Sequence, residues 1–217
     1  MISCHNDDQD VTFETVGPYD LPVPGKGIFC AEAMVHSLWD DPRCTSPEHI
    51  TWIDLLQRMS TYLQDQGVST ARPRLSSSRL LQVQQPLVIV PSTMGNHSVK
   101  RAVLIGIHYV GHEHALTNCH NNVNSMASYL MKVHGFQEHN VTILMDNSLR
   151  QEPTRHNILR AFQRICKLSK AGDVAVIQFS GKSIISNCPY RYLDASNARI
   201  IMFICYLHYR TRRTMER

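Results

Sequence analysis

Four side chains able to do polar or nucleophilic chemistry stand close to the ends of strand-like segments: His108, Cys119, Asn122 and Ser180. His108 follows the apolar run Ala102–Ile107, and Ser180 follows Val174–Phe179. In a parallel sheet, chemistry collects beyond the C-terminal ends of the strands, so these four residues define the predicted site. His108, His112 and His114 have spacings that could suit a metal, but no Cys or Asp in that Gly-containing loop completes a ligand set, so none is assigned. Cys4 and His5 are adjacent, and neighbours on an extended chain point to opposite faces, so they do not make a nucleophile–base pair by themselves.

The elements that must position these groups can be read from periodicity. Ala102–Ile107, Val141–Met145 and Val174–Phe179 are short, rich in Val and Ile, and bounded by turn residues, which predicts three strands. Between the first two, Val123, Met126, Ala127, Leu130 and Val133 repeat every three or four residues and Gly135 stops the run, predicting an amphipathic helix. Between the last two, Thr154 is the expected N-cap of a helix carrying Ile158, Phe162 and Ile165. The order βαβαβ predicts an α/β fold with a mainly parallel sheet flanked by helices.

Upstream, residues 1–25 end in a Pro/Gly-rich loop through which no helix persists. Residues 28–40 read as a helix. Ser46, Pro47 and Glu48 are read as the start of another, with Ile53, Leu56, Met59 and Leu63 as its apolar stripe and Gly67 as its stop. Leu87–Val90, between Pro86 and Pro91, is read as a buried strand.

Composition narrows the classes. A chain of 217 residues with 43% apolar residues can bury the core of one large domain or two small ones. The net charge of +4 is uneven: residues 182–217 hold seven cations against two acids, leaving the rest at −1. This basic tail is read as solvated or artefactual rather than as a nucleic-acid or membrane surface. Seven cysteines at irregular spacing, with no CxxC pair and no signal peptide, fit a reducing, cytoplasmic setting. The apolar run Ile200–Leu207 is shorter than the ~20 residues a bilayer span needs.

The segments AVLIGIHY, LTNCHNNVNSM, ILMD, PTRHNI and GDVAVIQFSG, in that order, resemble the large catalytic subunit of metacaspases. ISCHNDDQD and TWIDLLQRM…PRLSSSRLLQVQQPLVIVP are similar to the start and end of the metacaspase small subunit. The resemblance implies a caspase-like three-layer fold, here incomplete. It divides the chain into a small-subunit-like part (1–91), a linker (92–98), a large-subunit-like part (99–181) and a tail outside the family (182–217). Small part before large part resembles the permuted, type III arrangement.

The function implied is that of a cysteine endopeptidase cleaving proteins or peptides after Arg or Lys, with roles in programmed cell death. In such enzymes a Cys thiolate attacks the scissile carbonyl and a His activates it. Lys182 stands where the family His is expected, and no family-like Cys segment follows; Cys188 and Cys205 lie in unrelated contexts. No catalytic residue is therefore assigned and the chain is expected to be inactive. The alternative is a non-catalytic caspase-fold protein regulating an active paralogue. The resemblance assigns Asn122 and Ser180 to the substrate pocket, with Asn122 where the family has an acid, and Asp7 and Asp8 to a loop on the active-site side. Cys4 would be structural. Calcium is implied by the family alone, with no ligands assignable. Gly181-Lys182-Ser183 can be encoded through GTAAGT, a common intron start, so the tail is read as translated intron, with a decayed or truncated copy as the rival. A chain stopping there is expected to leave the third strand as an uncovered edge.

Overall fold

The computed structural model describes residues 2–6, 30–39, 50–67, 71–75, 82–91, 94–95, 97–112, 115–116, 118–183 and 199–208. Its strands are β1 (Ile2–Asn6), β2 (Ala71–Leu75), β3 (Lys100–Gly106), β4 (Val141–Met145), β5 (Val174–Ser183) and β6 (Arg199–His208). Its α-helices are α1 (Cys30–Trp39), α2 (Trp52–Asp65), α3 (Cys119–Lys132) and α4 (Arg155–Leu168). The strands form one sheet in the order β2-β1-β6-β5-β3-β4. β4, β3, β5, β6 and β1 run parallel, and β2 lies antiparallel on β1. This is the α/β architecture that the βαβαβ pattern predicts.

Alternation along the strands feeds two cores. Ala102, Leu104, Val174 and Val176 face one side, where they join buried residues of α1, α2 and α3, including Met34, Leu55, Met59, Met126 and Leu130. Val103, Ile105, Ala175 and Ile177 face the other side and meet Ala161 and Ile165 of α4. Helices therefore cover both faces of a parallel sheet, giving the three layers of an incomplete caspase-like fold.

Local expectations are met in part. Thr154 caps α4 by accepting the Asn157 N–H at 3.2 Å. Gly135, at φ +65, supplies the left-handed residue after α3. α3 ends at Lys132, however, so Val133 falls off its apolar stripe and is 42% exposed.

The predicted start of α2 is corrected. Its N-cap is Thr51, not Ser46: Thr51 accepts the Asp54 N–H while the Asp54 carboxylate accepts the Thr51 N–H. This reciprocal capping box satisfies two donors otherwise left open at the helix end. Its buried stripe is Trp52, Leu55, Met59 and Leu63, with Ile53 and Leu56 only half-buried. Leu87–Val90 is no strand; Pro86 makes one bridge to Thr51, and Leu87 and Ile89 are tucked into the core from an irregular segment.

The end of the sheet is corrected as well. β5 continues to Ser183, and β6 pairs with it from Val174↔Arg199 to Ser183↔His208. The strand expected to be an uncovered edge is thus an inner strand, covered by a segment of the tail.

Candidate functional site: the carboxyl edge of the sheet

β3 ends at Gly106 because α3 lies across it. A Cβ at that position would come 2.9 Å from both the Cys119 carbonyl oxygen and Val123 Cγ2. Only glycine allows this approach. It sets the first turns of α3 over the end of β5, which pairs Gly106 with Ser180. Asn122, 2% exposed, then donates from Nδ2 to the Oγ of Ser180, which is fully buried, at 3.1 Å. Gln178, two residues earlier on the same face of β5, donates from Nε2 to the Asn122 carbonyl at 3.3 Å. Its Oε1 is buried and has no hydrogen-bond partner. The result is a dry, neutral polar group of an amide, a hydroxyl and a second amide. Such a group can exchange hydrogen bonds with a ligand, but it carries no charge to neutralise a cation.

Beside it lies a cluster centred on Asp146, just beyond β4. The carboxylate accepts the backbone N–H of His108 on Oδ1 at 2.8 Å and that of Tyr109 on Oδ2 at 2.7 Å. His120 Nε2 lies 2.7 Å from Oδ1, and the His108 and His120 ring centroids are 4.7 Å apart. Burial pushes the Asp146 carboxyl up, but the bonds from the His108 N–H, His120 and the Tyr109 N–H outweigh it and hold it below its ordinary value. His108 is pulled down, first by burial and then by His120, with Asp146 opposing.

The structure joins Asn122 to Ser180, two residues the resemblance singled out, by one hydrogen bond and sets His108 on the same edge. Cys119 is fully buried in α3. Lys182 is on β5, in register with Leu207. Cys205 is on β6, in register with Ser180. Asp7, Asp8, Gln9, His114 and Cys188 lie outside the described residues. His112 is exposed. The described residues contain no group of three His, Cys, Asp or Glu that could hold a metal. Calcium has no donor set among them: Asp146 is engaged as above, and Asp173 accepts from the backbone of Val99 and Lys170 and from Arg101.

Three participants escaped the sequence reading: Gln178, His120 and Asp146. Gln178 had a legible signal, a lone amide inside an otherwise apolar strand. Asp146 stood in the strand-ending motif but carried no role. His120 follows Cys119 directly, and nothing in its neighbours marks it.

The three-layer α/β sheet is that of an incomplete caspase-like fold. The family model "Metacaspase, peptidase C14 domain" matches residues 100–209. Metacaspase III c of Phaeodactylum tricornutum is 36% identical over 185 residues, covering 83% of this chain and 54% of that protein. Metacaspase-4 of Arabidopsis thaliana is 41% identical over 83 residues, and metacaspase-1 of Scheffersomyces stipitis is 37% identical over 84, each covering 38% of this chain. The chain belongs to the metacaspase family. It spans about half the length of the Phaeodactylum relative and about a fifth of the other two. The family match runs to residue 209, past Gly181, where family sequence was expected to stop.

Proposed function

We propose that this chain carries the substrate-pocket portion of a metacaspase-type cysteine endopeptidase in the permuted order, and that residues 1–217 alone do not turn over peptide substrates. The observation that supports the pocket is the Asn122–Ser180 hydrogen bond at the carboxyl edge. Inactivity follows from Lys182. An ammonium has three donors and no lone pair at neutral pH, so it cannot accept the proton of a thiol. It would stabilise a thiolate already formed, but the general-base step is missing. Cys205 is the cysteine in register beside Ser180, and further along the same ladder Leu207 pairs with Lys182 and His208 with Ser183.

The pocket reading also bears on substrate choice. An acid at position 122 would pair a guanidinium; Asn122 offers only hydrogen bonds, so the Arg/Lys preference of the family is expected to be weakened. Fluorogenic peptide amides ending in Arg, Lys or Gln, incubated with the purified 217-residue chain, should give no signal above buffer. Turnover that disappears in Cys205→Ala would overturn the inactivity and assign the nucleophile.

The presence of Lys182 in the His position also favours a second reading, a caspase-fold regulator that pairs with an active paralogue in the cytoplasm. Mixing the chain with an active caspase-fold peptidase tests it; unchanged peptidase kinetics and no co-migration on gel filtration would reject it. Among the described residues no helix is long and apolar enough to cross a membrane.

A further inference from the structure

The His108–His120–Asp146 cluster is a second polar group on the same edge. Tyr109, the residue it pins, has φ +58, a left-handed conformation that an aromatic side chain rarely adopts. The bonds that hold it there include one from its own N–H to Asp146 Oδ2 and one from the His112 N–H to its carbonyl at 3.0 Å. His108 is anchored likewise, by its N–H to Asp146 Oδ1 and by its carbonyl, which accepts the Leu116 N–H at 2.8 Å. A single carboxylate thus fixes a strained turn and one imidazole together.

We propose that His108, its ring tilted against that of His120 at 4.7 Å beside the single carboxylate of Asp146, is a proton-operated latch on residues 107–112. The carboxylate is already bonded to the His120 ring, so a proton on His108 puts a charge beside that ring with no acid of its own to pair it. His108 Nδ1 is buried and has no hydrogen-bond partner to receive that proton's bond. The titratable groups that face it are His120 from α3, with Cys119 buried beside it, and Asp146 from beyond β4. β5 presents Ser180 and Gly181 there, where the Ile107 N–H donates to the Ser180 carbonyl at 2.9 Å. His112 and Tyr109 belong to the turn itself. No second acid relieves the charge among the described residues.

The direction is set by linkage. Burial and His120 hold His108 below its ordinary 6.5, so the latched state binds fewer protons than the released one. The latch is closed above pH 6.5 and is opposed increasingly as pH falls below it. Asp146, held below its ordinary 3.8, stays ionised across that range and keeps His120 in place, so the window lies between these two values. Release frees Tyr109 from its left-handed conformation and loosens the turn that bonds to Ser180.

Amide hydrogen exchange of the 217-residue chain at pH 7.5 and pH 5.0, corrected for intrinsic rates, tests this without reference to peptidase activity. Protection at His108 and Tyr109 should fall at least tenfold at the lower pH, while that of β3 and β4 is unchanged. His108→Phe keeps a ring over His120 and should hold the turn closed at both values. Should that variant fail to fold, His120→Asn, which keeps a donor for Asp146 but cannot ionise, should likewise lose the pH effect. Equal protection at both pH values in the parent chain, or a pH effect retained in either folded variant, would overturn the latch.

Discussion

At the scale of single residues, charge decides what the carboxyl edge can hold. Asn122 and Ser180 are both dry, so replacing the amide by an acid changes affinity and stability in opposite senses. Asn122→Asp is expected to bind an arginine-containing peptide aldehyde at least tenfold more tightly, because a guanidinium then meets a carboxylate. The same variant should melt at lower temperature when empty, since an unpaired charge is buried. Equal affinity of the two proteins for the aldehyde would show that residue 122 does not line the pocket. Asp146→Asn removes the charge that three donors share and presents an amide N–H₂ to one of them. A loss of about 1–3 kcal/mol is expected in urea unfolding; no loss would mean that the turn at His108 is held by other bonds.

At the scale of elements, close approach and capping fix where α2 and α3 sit. Gly106→Ala should destabilise by about 1–3 kcal/mol, because the new methyl meets the carbonyl of Cys119 and cannot be absorbed by a flexible side chain. It should also separate Asn122 from Ser180, visible as changed chemical shifts for both. A Gly106→Ala protein as stable as the parent would show that α3 rides above β3 rather than on it. Thr51→Ala should cost about 1 kcal/mol by removing the capping box, with the pocket untouched. The sequence carried the βαβαβ segment well, because those strands and helices have clean periods and clear caps. It misplaced the start of α2 because Ser46-Pro47-Glu48 and Thr51-Asp54 both carry residue types suited to a cap, and the reciprocal bonds at Thr51 are seen only in the structure. The Asn122–Ser180 contact joins two residues that the resemblance singled out, whereas the Asp146 cluster depends on three segments meeting, which no local spacing encodes. β6 was missed because its run from Ile200 to Leu207 is apolar without alternation, a pattern that strands and helices share, and its pairing with β5 alone reveals it.

At the scale of the whole molecule, the end of the sheet opposite the site has its own acid sensitivity. Burial and the Lys100 cation push His134 down to about 4. The folded state therefore binds fewer protons than the unfolded one, and stability falls as pH drops from 6.5 toward 4, by at most about 3 kcal/mol. His134→Gln should flatten the pH dependence of the urea midpoint over that range. An unchanged slope would trace the acid sensitivity to another group. The sheet also joins segments far apart in the chain. Among the described pairings, β1 and β2 connect to the remaining strands only through β6. During synthesis residues 2–6 leave the ribosome about 200 residues ahead of their partner residues 203–204 on β6. At ~5–20 residues per second the first strand waits roughly ten to forty seconds for its neighbour. Whatever shields those early residues from other chains in that interval is a condition on this protein's yield, set by the order of its strands rather than by their strength.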